Sequence, residues 1–415
     1  MFSRHATYIL VLAFTNMALA TGITLGFSVF YGALIEEFEG GRTGTVGIYS
    51  VLMLSQGLGS LPIGVLHDRL GARAQTVGGA SLLGAGLLLS AGITHPWQLY
   101  LTYGVMVGFG AAALTWVGMA PILARWFSRR LATVNAIAYA GMGVGTIALV
   151  PFAQWLILRV GWRAAFLVLG LFVLGVAVPA NWVVQRPPRP DERDDAAPGP
   201  STARTGAVAE GTGLRAALRT RDFWGFAAEF FSISFGVFMI GAHQVVYAVD
   251  AGFDRLGAAS AFGLVGFMSG VGRLVFGVGS DYVGRGVALG VSFACSIAGI
   301  GLLVLAGETG SGFILTLYAI VFGLGFGARG PILAAEAAAR FPGRHFGTIF
   351  GAITLFHGVG SAIGPFVGGL LFDLTGDYRI PFTLAAASLG FAWALAVVLG
   401  RTSPHPTGRV EKGKA

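Results

Sequence analysis

Apolar runs of about 20 residues recur along the whole chain. Each is long enough to cross a hydrocarbon core ~30 Å thick as a helix. Lipid offers the backbone no hydrogen-bond partners, so runs of this kind satisfy themselves as helices. Charged residues are scarce, 11% of the sequence, where a soluble domain carries roughly 25%. These features leave one class, an all-α polytopic membrane protein. The 66 glycines fit it, because small residues let helices pack closely where no hydrophobic drive exists.

Breakers and hydropathy place spans near 7–34, 46–66, 74–94, 97–124, 131–157 and 162–184. A second set falls near 223–249, 256–280, 286–306, 310–338, 345–372 and 379–400. The first run contains LVLAFTNMALA, which has the look of a signal peptide, but it continues to about Leu34 and exceeds an h-region. The reading is therefore twelve transmembrane helices in two bundles: residues 1–185, a cytoplasmic linker 186–222, and 223–415 with a short cytoplasmic tail. Pro, Gly and charge dominate QRPPRPDERDDAAPGPSTARTGAVAEGTG, so no core can form from it.

The two sets echo each other. GVLHDRLGAR follows the second span and GVGSDYVGRG the eighth, with Gly64, Asp68 and Gly71 repeated 213 residues later as Gly277, Asp281 and Gly284. PILA occurs at 121–124 and again at 331–334. Six plus six spans in one direction imply parallel repeats about an axis along the membrane normal.

Basic residues settle the expected orientation. Twenty fall on the side of the two termini and five on the other: Arg42, Arg159, Arg163, Arg255 and Arg379. That bias puts both ends in the cytoplasm. It also accounts for most of the +8 net charge, so a nucleic-acid partner is not expected. Cys295 is the single cysteine, which excludes an internal disulfide and a cysteine metal cluster. No Gly-rich Lys-Ser/Thr phosphate loop is present, which argues against an ATP-driven pump. Neither cofactor nor metal is expected. No nucleophile–base pair is visible, and the chain is not read as an enzyme.

Two basic residues of the 27 remain, Arg273 and Arg329, and both lie inside spans. At ~1.5 Å per residue, Arg273 stands ~12 Å from Asp281 and Arg329 ~16 Å from Arg340. A guanidinium that deep faces a polar cavity or a partner. Glu229 is the acidic residue read as lying within a span, with His243 and His357 completing the ionisable set. Two guanidiniums against one carboxylate leave a positive excess that suits an organic anion, and the arginine fork matches a carboxylate. One arginine, Arg329 more readily than Arg273, has a structural alternative as the partner of Glu229 or as part of a packing motif. Glu229 is either a counter-ion or a proton carrier. His243 either carries the proton or caps a neighbour. His357, in FHGVGSAIGP, lines the cavity or packs. Phe27, Tyr31, Trp116 and Tyr139 are aromatic candidates for the lining, each with a packing alternative.

The loop GVLHDRLGAR, with its echo, resembles the motif between helices 2 and 3 of the major facilitator superfamily, over the whole chain. WFSRRLATVNAIAYAG (126–141) is similar to the helix-5 entry of monocarboxylate transporters and oxalate–formate exchangers, and HQVVYAVDAG (243–252) to the end of their helix 7. In the first motif Leu131, Val134 and Ala136 depart from the pattern. The resemblance implies the major facilitator fold and places Arg273 at the helix-8 arginine that binds the substrate carboxylate. It implies a conformational role for Gly64, Asp68, Arg69, Gly71, Arg73, Asp281, Gly284 and Arg285. Three departures stand out, the last two of them at charges that the resemblance assigns to proton coupling. The acidic, Gly-rich signature before helix 1 is absent; Val29 stands at the helix-1 lysine and Ser269 at the helix-8 aspartate. His357 aligns with the exchangers' helix-11 lysine, and a neutral histidine there suits a monoanion better than a dianion.

The expectation is a secondary transporter of lactate- or pyruvate-like monocarboxylates, a proton symporter working by alternating access. Arg273, Arg329, His357, Trp116, Tyr31 and Tyr139 form the substrate set, and His243 and Glu229 couple the proton. The competitor is a proton-independent anion exchanger; a carboxylate receptor without translocation is weaker. Drug–proton efflux is weaker still, since GMGVGTIALVP lacks the Gly-Pro antiporter motif. The expected setting is the inner membrane of a bacterium, with a monomer as the functional unit, an organic anion and protons as partners, and lipid around it.

Overall fold

The computed structural model describes residues 4–38, 41–127, 131–187, 213–341 and 346–401. The first half comprises α1 (Arg4–Phe38), α2 (Arg42–Ala91), α3 (Pro96–Leu99), α4 (Gly108–Leu114), α5 (Trp116–Trp126), α6 (Leu131–Phe172) and α7 (Val178–Val184). A short α8 (Leu214–Ala217) precedes α9 (Arg221–Asp250), α10 (Arg255–Val283), α11 (Arg285–Thr309), α12 (Gly312–Arg340), α13 (Phe346–Thr375) and α14 (Arg379–Arg401). No strand occurs among the described residues. Nine stretches of them are long and apolar enough to cross a membrane by length and composition, and Gly312–Gly327 is a shorter apolar helix.

Two glycines turn long helices into pairs of spans. Gly71 (φ 82°) divides α2 and Gly161 (φ 80°) divides α6. Only a residue without a Cβ takes that conformation at little cost. The sequence reading expected loops at 67–73 and 158–161; each proves to be one non-helical residue between helical neighbours. With these turns counted, the described residues make twelve helical passes. The remaining ends carry ordinary signals. The Thr220 and Asp254 side chains accept from the backbone N–H groups of Phe223 and Gly257, and Gly310 closes α11 in the left-handed conformation.

The fourth span departs from a single helix. It runs as α3, a π-helical stretch Tyr100–Val107, α4, an extended residue at Thr115 (φ −87°, ψ −174°), and α5. A second π-helical stretch, Val173–Ala177, joins α6 to α7. Apolar residues dominate these segments, so hydropathy reads straight through them.

Aromatic rings fill the core of the first half. Phe27 is stacked on Tyr49 at 5.4 Å and tilted against Tyr103 at 5.5 Å, and Phe30 lies 4.0 Å from Phe166. Phe27 is therefore packing, not cavity lining. The buried amides of Asn16 and Asn181 exchange two hydrogen bonds, at 2.8 and 2.9 Å, locking α1 to α7. Between the halves, α6 packs against α10 and the first part of α2 against α13. Their backbones come close: a Cβ on Gly143 would lie 3.1 Å from the Gly266 carbonyl oxygen, and one on Gly263 3.0 Å from Ile147 Cα.

Candidate functional site

Arg273 sits on α10 just past this crossing, toward the face that carries the described ends Arg4 and Arg401. It is half-buried, and its Nη1 lies 3.7 Å from Met142 Sδ on α6. A thioether is a weak acceptor. None of the ion pairs among the described residues includes Arg273. A guanidinium is thus held at the junction of the halves with its hydrogen-bonding capacity largely unspent. Tyr139 stands one turn from Met142 on the same helix and is half-buried.

Arg329 lies elsewhere, 2% exposed, inside the second half. Its Nε donates to Ser292 Oγ at 3.0 Å, its Nη2 to Ser296 Oγ and to the Gly325 carbonyl at 3.1 Å. The guanidinium also stacks 4.8 Å above the Phe293 ring. These partners belong to α11 and α12, so the structure ties Arg329 to those helices and does not bring it beside Arg273. Glu229 is fully buried, and neither carboxylate oxygen has a hydrogen-bond partner; Arg329 Nη1 has none either. The sequence reading paired the two as one alternative, but no ion pair within 4.0 Å joins them among the described residues. Glu336, half-buried near the end of α12, is an acidic residue that the sequence reading passed over.

His243 is fully buried on α9. Its Nε2 lies 2.9 Å from the Pro365 carbonyl, and its Nδ1 3.1 Å from the Tyr378 hydroxyl. The carbonyl only accepts, which places a proton on Nε2. Arg42 Nη1 donates to the Tyr378 oxygen at 2.5 Å, so the phenol's own proton points at His243 Nδ1. Tyr31 lies edge-on to the imidazole at 5.6 Å and donates to the Arg42 carbonyl at 3.3 Å.

This cluster spans both halves. Arg42 begins α2; its Nη2 contacts Asp250 of α9 at 2.5 Å, and its guanidinium carbon stands 3.8 Å over Phe372. Asp373 of α13 accepts from the backbone N–H groups of Arg42 (2.9 Å) and Thr43 (2.8 Å) and from the Thr43 hydroxyl (2.6 Å). Arg255 pairs with Glu36 across the same junction. The halves are therefore latched at the face opposite Arg4 and Arg401. A cleft of about 150 Å³ remains beside the latch, lined by Val29, Gln154 and Val246 among others.

His357 is half-buried and lies edge-on to Phe238 at 5.7 Å. Trp116, 46% exposed, opens α5. Of the loop motifs, Gly71 and Gly284 both take positive φ, 82° and 89°. Arg73 Nε caps the Gln185 carbonyl at 2.7 Å. Arg69 and Arg285 are exposed. The side chains of Asp68 and Asp281, the environment of Gly64, and most of the 186–222 linker lie outside the described residues.

The structure thus brings Tyr31 and His243 together, and Tyr139 close to Arg273, in two separate groups. Sequence reasoning missed Arg42, Met142, Tyr378 and Asp373. Arg42 carried a signal, as one of five basic residues on the sparsely basic side. Met142 carried none.

Comparison with known proteins decides the family. The family model of the Major Facilitator Superfamily matches residues 9–358. Monocarboxylate transporter 13 of Rattus norvegicus is 30% identical over 381 residues, covering 91% of this chain and 85% of its own. Monocarboxylate transporter 3 of the same species is 31% identical, covering 91% and 77%.

The chain belongs to the monocarboxylate transporter branch of the Major Facilitator Superfamily.

Human monocarboxylate transporter 2 is 26% identical over 402 residues, covering 90% of this chain and 81% of its own. Among solved structures, a bacterial homolog of the human lysosomal transporter Spinster, in an inward-facing and occupied conformation, superposes with a TM-score of 0.73. It shares 15% identity and covers 97% of this chain and 98% of its own. A point mutant of the nucleoside transporter NupG gives 0.74 at 13% identity, covering 96% and 99%. At those identities the likeness is one of fold.

Proposed function

We propose that this membrane protein carries small organic monocarboxylates, lactate- or pyruvate-like, by proton-coupled symport and alternating access. One observation carries the reading: the guanidinium of Arg273 stands at the junction of the halves, in no described ion pair, with the Met142 thioether against its Nη1. A carboxylate arriving there would displace Met142 and form paired charge-assisted hydrogen bonds. Tyr139 would border the pocket, and Trp116 and His357 are further lining candidates. Arg329 would set the field from within the second half.

The 20-to-5 distribution of basic residues supports a cytoplasmic location for both termini, in a plasma membrane that the sequence reading takes to be bacterial. The latch around Arg42 then closes the outer face. The proton would be carried by His243, whose ring is wired to that latch, or by Glu229, whose oxygens are unpartnered.

A second reading has its own support. Val29 and Ser269 stand where the family resemblance places a lysine and an aspartate, and the Ser269 hydroxyl is spent within its own helix, on the Gly266 carbonyl at 2.8 Å. Proton-independent exchange follows if neither His243 nor Glu229 takes over the coupling.

The test is uptake of labelled lactate, pyruvate, formate and oxalate into proteoliposomes, with and without an inward proton gradient, beside Arg273→Gln. Gradient-driven accumulation that the substitution abolishes is the expected result. Flux that requires an internal anion and ignores pH makes the protein an exchanger.

A further inference from the structure

The two halves treat one equivalent helix differently. The repeated PILA sets Pro121 against Pro331, which makes Thr115 of the fourth span the counterpart of Gly325 in α12. At Thr115 the helix is broken: the residue is extended and separates α4 from α5. At Gly325 the helix runs through. A proline six residues later is common to both, so proline does not explain the difference.

The surroundings do. Gln75, buried at the start of the third span, reaches across the break with one amide. Its Nε2 donates to the Ala113 carbonyl at 3.0 Å and to the Gly118 carbonyl at 2.9 Å. An unbroken helix would fill the Ala113 carbonyl from residue 117, so Gln75 replaces a bond that the break removes. Both amide protons are then committed, and Gln75 Oε1 must accept. It does so from Nδ1 of the buried His67, at 2.6 Å. That fixes the imidazole tautomer and leaves its buried Nε2 without a partner. Room for the amide requires a glycine: a Cβ on Gly118 would lie 2.6 Å from Gln75 Nε2. In the second half the polar group sits on the helix itself. The Gly325 carbonyl accepts from Ser292 Oγ at 2.8 Å and from Arg329, and the helix stays straight.

We infer that the Thr115 break is a hinge in the fourth span, that Gln75 is the residue positioning it, and that α5 swings relative to α4 during transport while α12 moves as a rod. Two bonds from one amide hold the hinge in the conformation seen here. A swing of α5 trades the Gln75–Ala113 bond for a restored helical one from residue 117, so two discrete arrangements of similar energy are available. Trp116 is the first residue of α5, so the swing would move a residue that the proposed pocket uses; that consequence alone rests on the functional reading.

The test is a pair of spin labels on one span in a Cys295→Ser background, at positions 101 and 125, with 313 and 336 as the pair on α12. Double electron–electron resonance is recorded in lipid nanodiscs with and without lactate, for wild type, Gln75→Leu and His67→Gln. The expected result is two distances for 101–125 and one for 313–336. The ratio of the two should shift by about threefold or more in Gln75→Leu, as loss of one net hydrogen bond gives. His67→Gln keeps a donor toward Gln75 and should stay near wild type. A lactate effect is expected as well. Its absence, with the Gln75→Leu shift intact, would sink lactate as the substrate and leave the hinge standing. A single 101–125 distance that neither lactate nor Gln75→Leu changes overturns the hinge. If Gln75→Leu does not fold, a single distance in wild type with and without lactate overturns it alone.

Discussion

Asp373 caps a helix of the other half: its carboxylate takes the backbone N–H groups of Arg42 and Thr43 at 2.9 and 2.8 Å, at the first turn of α2. A carboxylate at that position is favoured by the unfilled N–H groups and by the helix dipole. The bond exists only while the halves are closed on that side. Asp373→Asn keeps one acceptor and loses the charge. It should raise the population open at this face by roughly fivefold and change the turnover rate more than the affinity. Cysteine accessibility of residue 46, on the closed side, measures the population. Unchanged accessibility would mean that the cap contributes nothing to the gate.

Protonation of His243 should loosen this latch. Five groups face or adjoin the ring: Tyr31 from α1, Arg42 from α2, Tyr378 from the start of the last span, Asp250 further along α9, and Asp373 from α13. In the neutral ring Nδ1 accepts from Tyr378. A proton on Nδ1 turns the phenol into an acceptor of two cationic donors, His243 and Arg42. The sign follows: acid favours separation of the halves at this face, and alkali favours closure. Accessibility of residue 46 should rise as pH falls in wild type, and the dependence should flatten in Tyr378→Phe. A steep pH dependence retained in that variant would remove Tyr378 from the coupling route.

Much of this architecture was legible in the sequence, and the misses share a cause. Span number follows from apolar runs and glycine positions, both one-dimensional signals. The depth of Arg273 follows from counting residues along a helix. Partners across helices do not. Arg329 and Arg273 look alike in the sequence, yet Ser292 and Ser296 hold one while a thioether faces the other. The break at Thr115 was invisible because its determinant, Gln75, lies 40 residues away and the segment stays apolar throughout.

Removing Arg273 should cost function without costing the fold. The guanidinium is half-buried and joins no described ion pair, so a shorter neutral side chain relieves desolvation instead of breaking an ion pair. Arg273→Gln should raise the KM for lactate by about 100-fold, the effect of losing a paired charge-assisted contact, while the melting temperature holds or rises. Arg273→Lys should recover little, because an ammonium lacks the planar fork. A clear fall in melting temperature for Arg273→Gln would return the residue to a structural role.

Arg329 should behave in the opposite way. It is 2% exposed, and its donors bind Ser292, Ser296 and the Gly325 carbonyl, so truncation leaves those acceptors unfilled and Glu229 without the cation whose field reaches it. Breaking a buried charged network from one side costs ~3–5 kcal/mol. Arg329→Met should therefore lower the melting temperature sharply. Glu229→Gln alone should be nearly neutral, since its carboxylate oxygens have no partners to lose. In the double variant the lone carboxylate is gone, and roughly 1–2 kcal/mol should return as coupling energy in the double-mutant cycle. Thermal unfolding of the four proteins in one detergent measures it. Additive effects would show that the two buried charges do not sense each other. Glu229 would then be free for the proton-carrying role, which counterflow retained alongside lost gradient-driven accumulation in Glu229→Gln would identify.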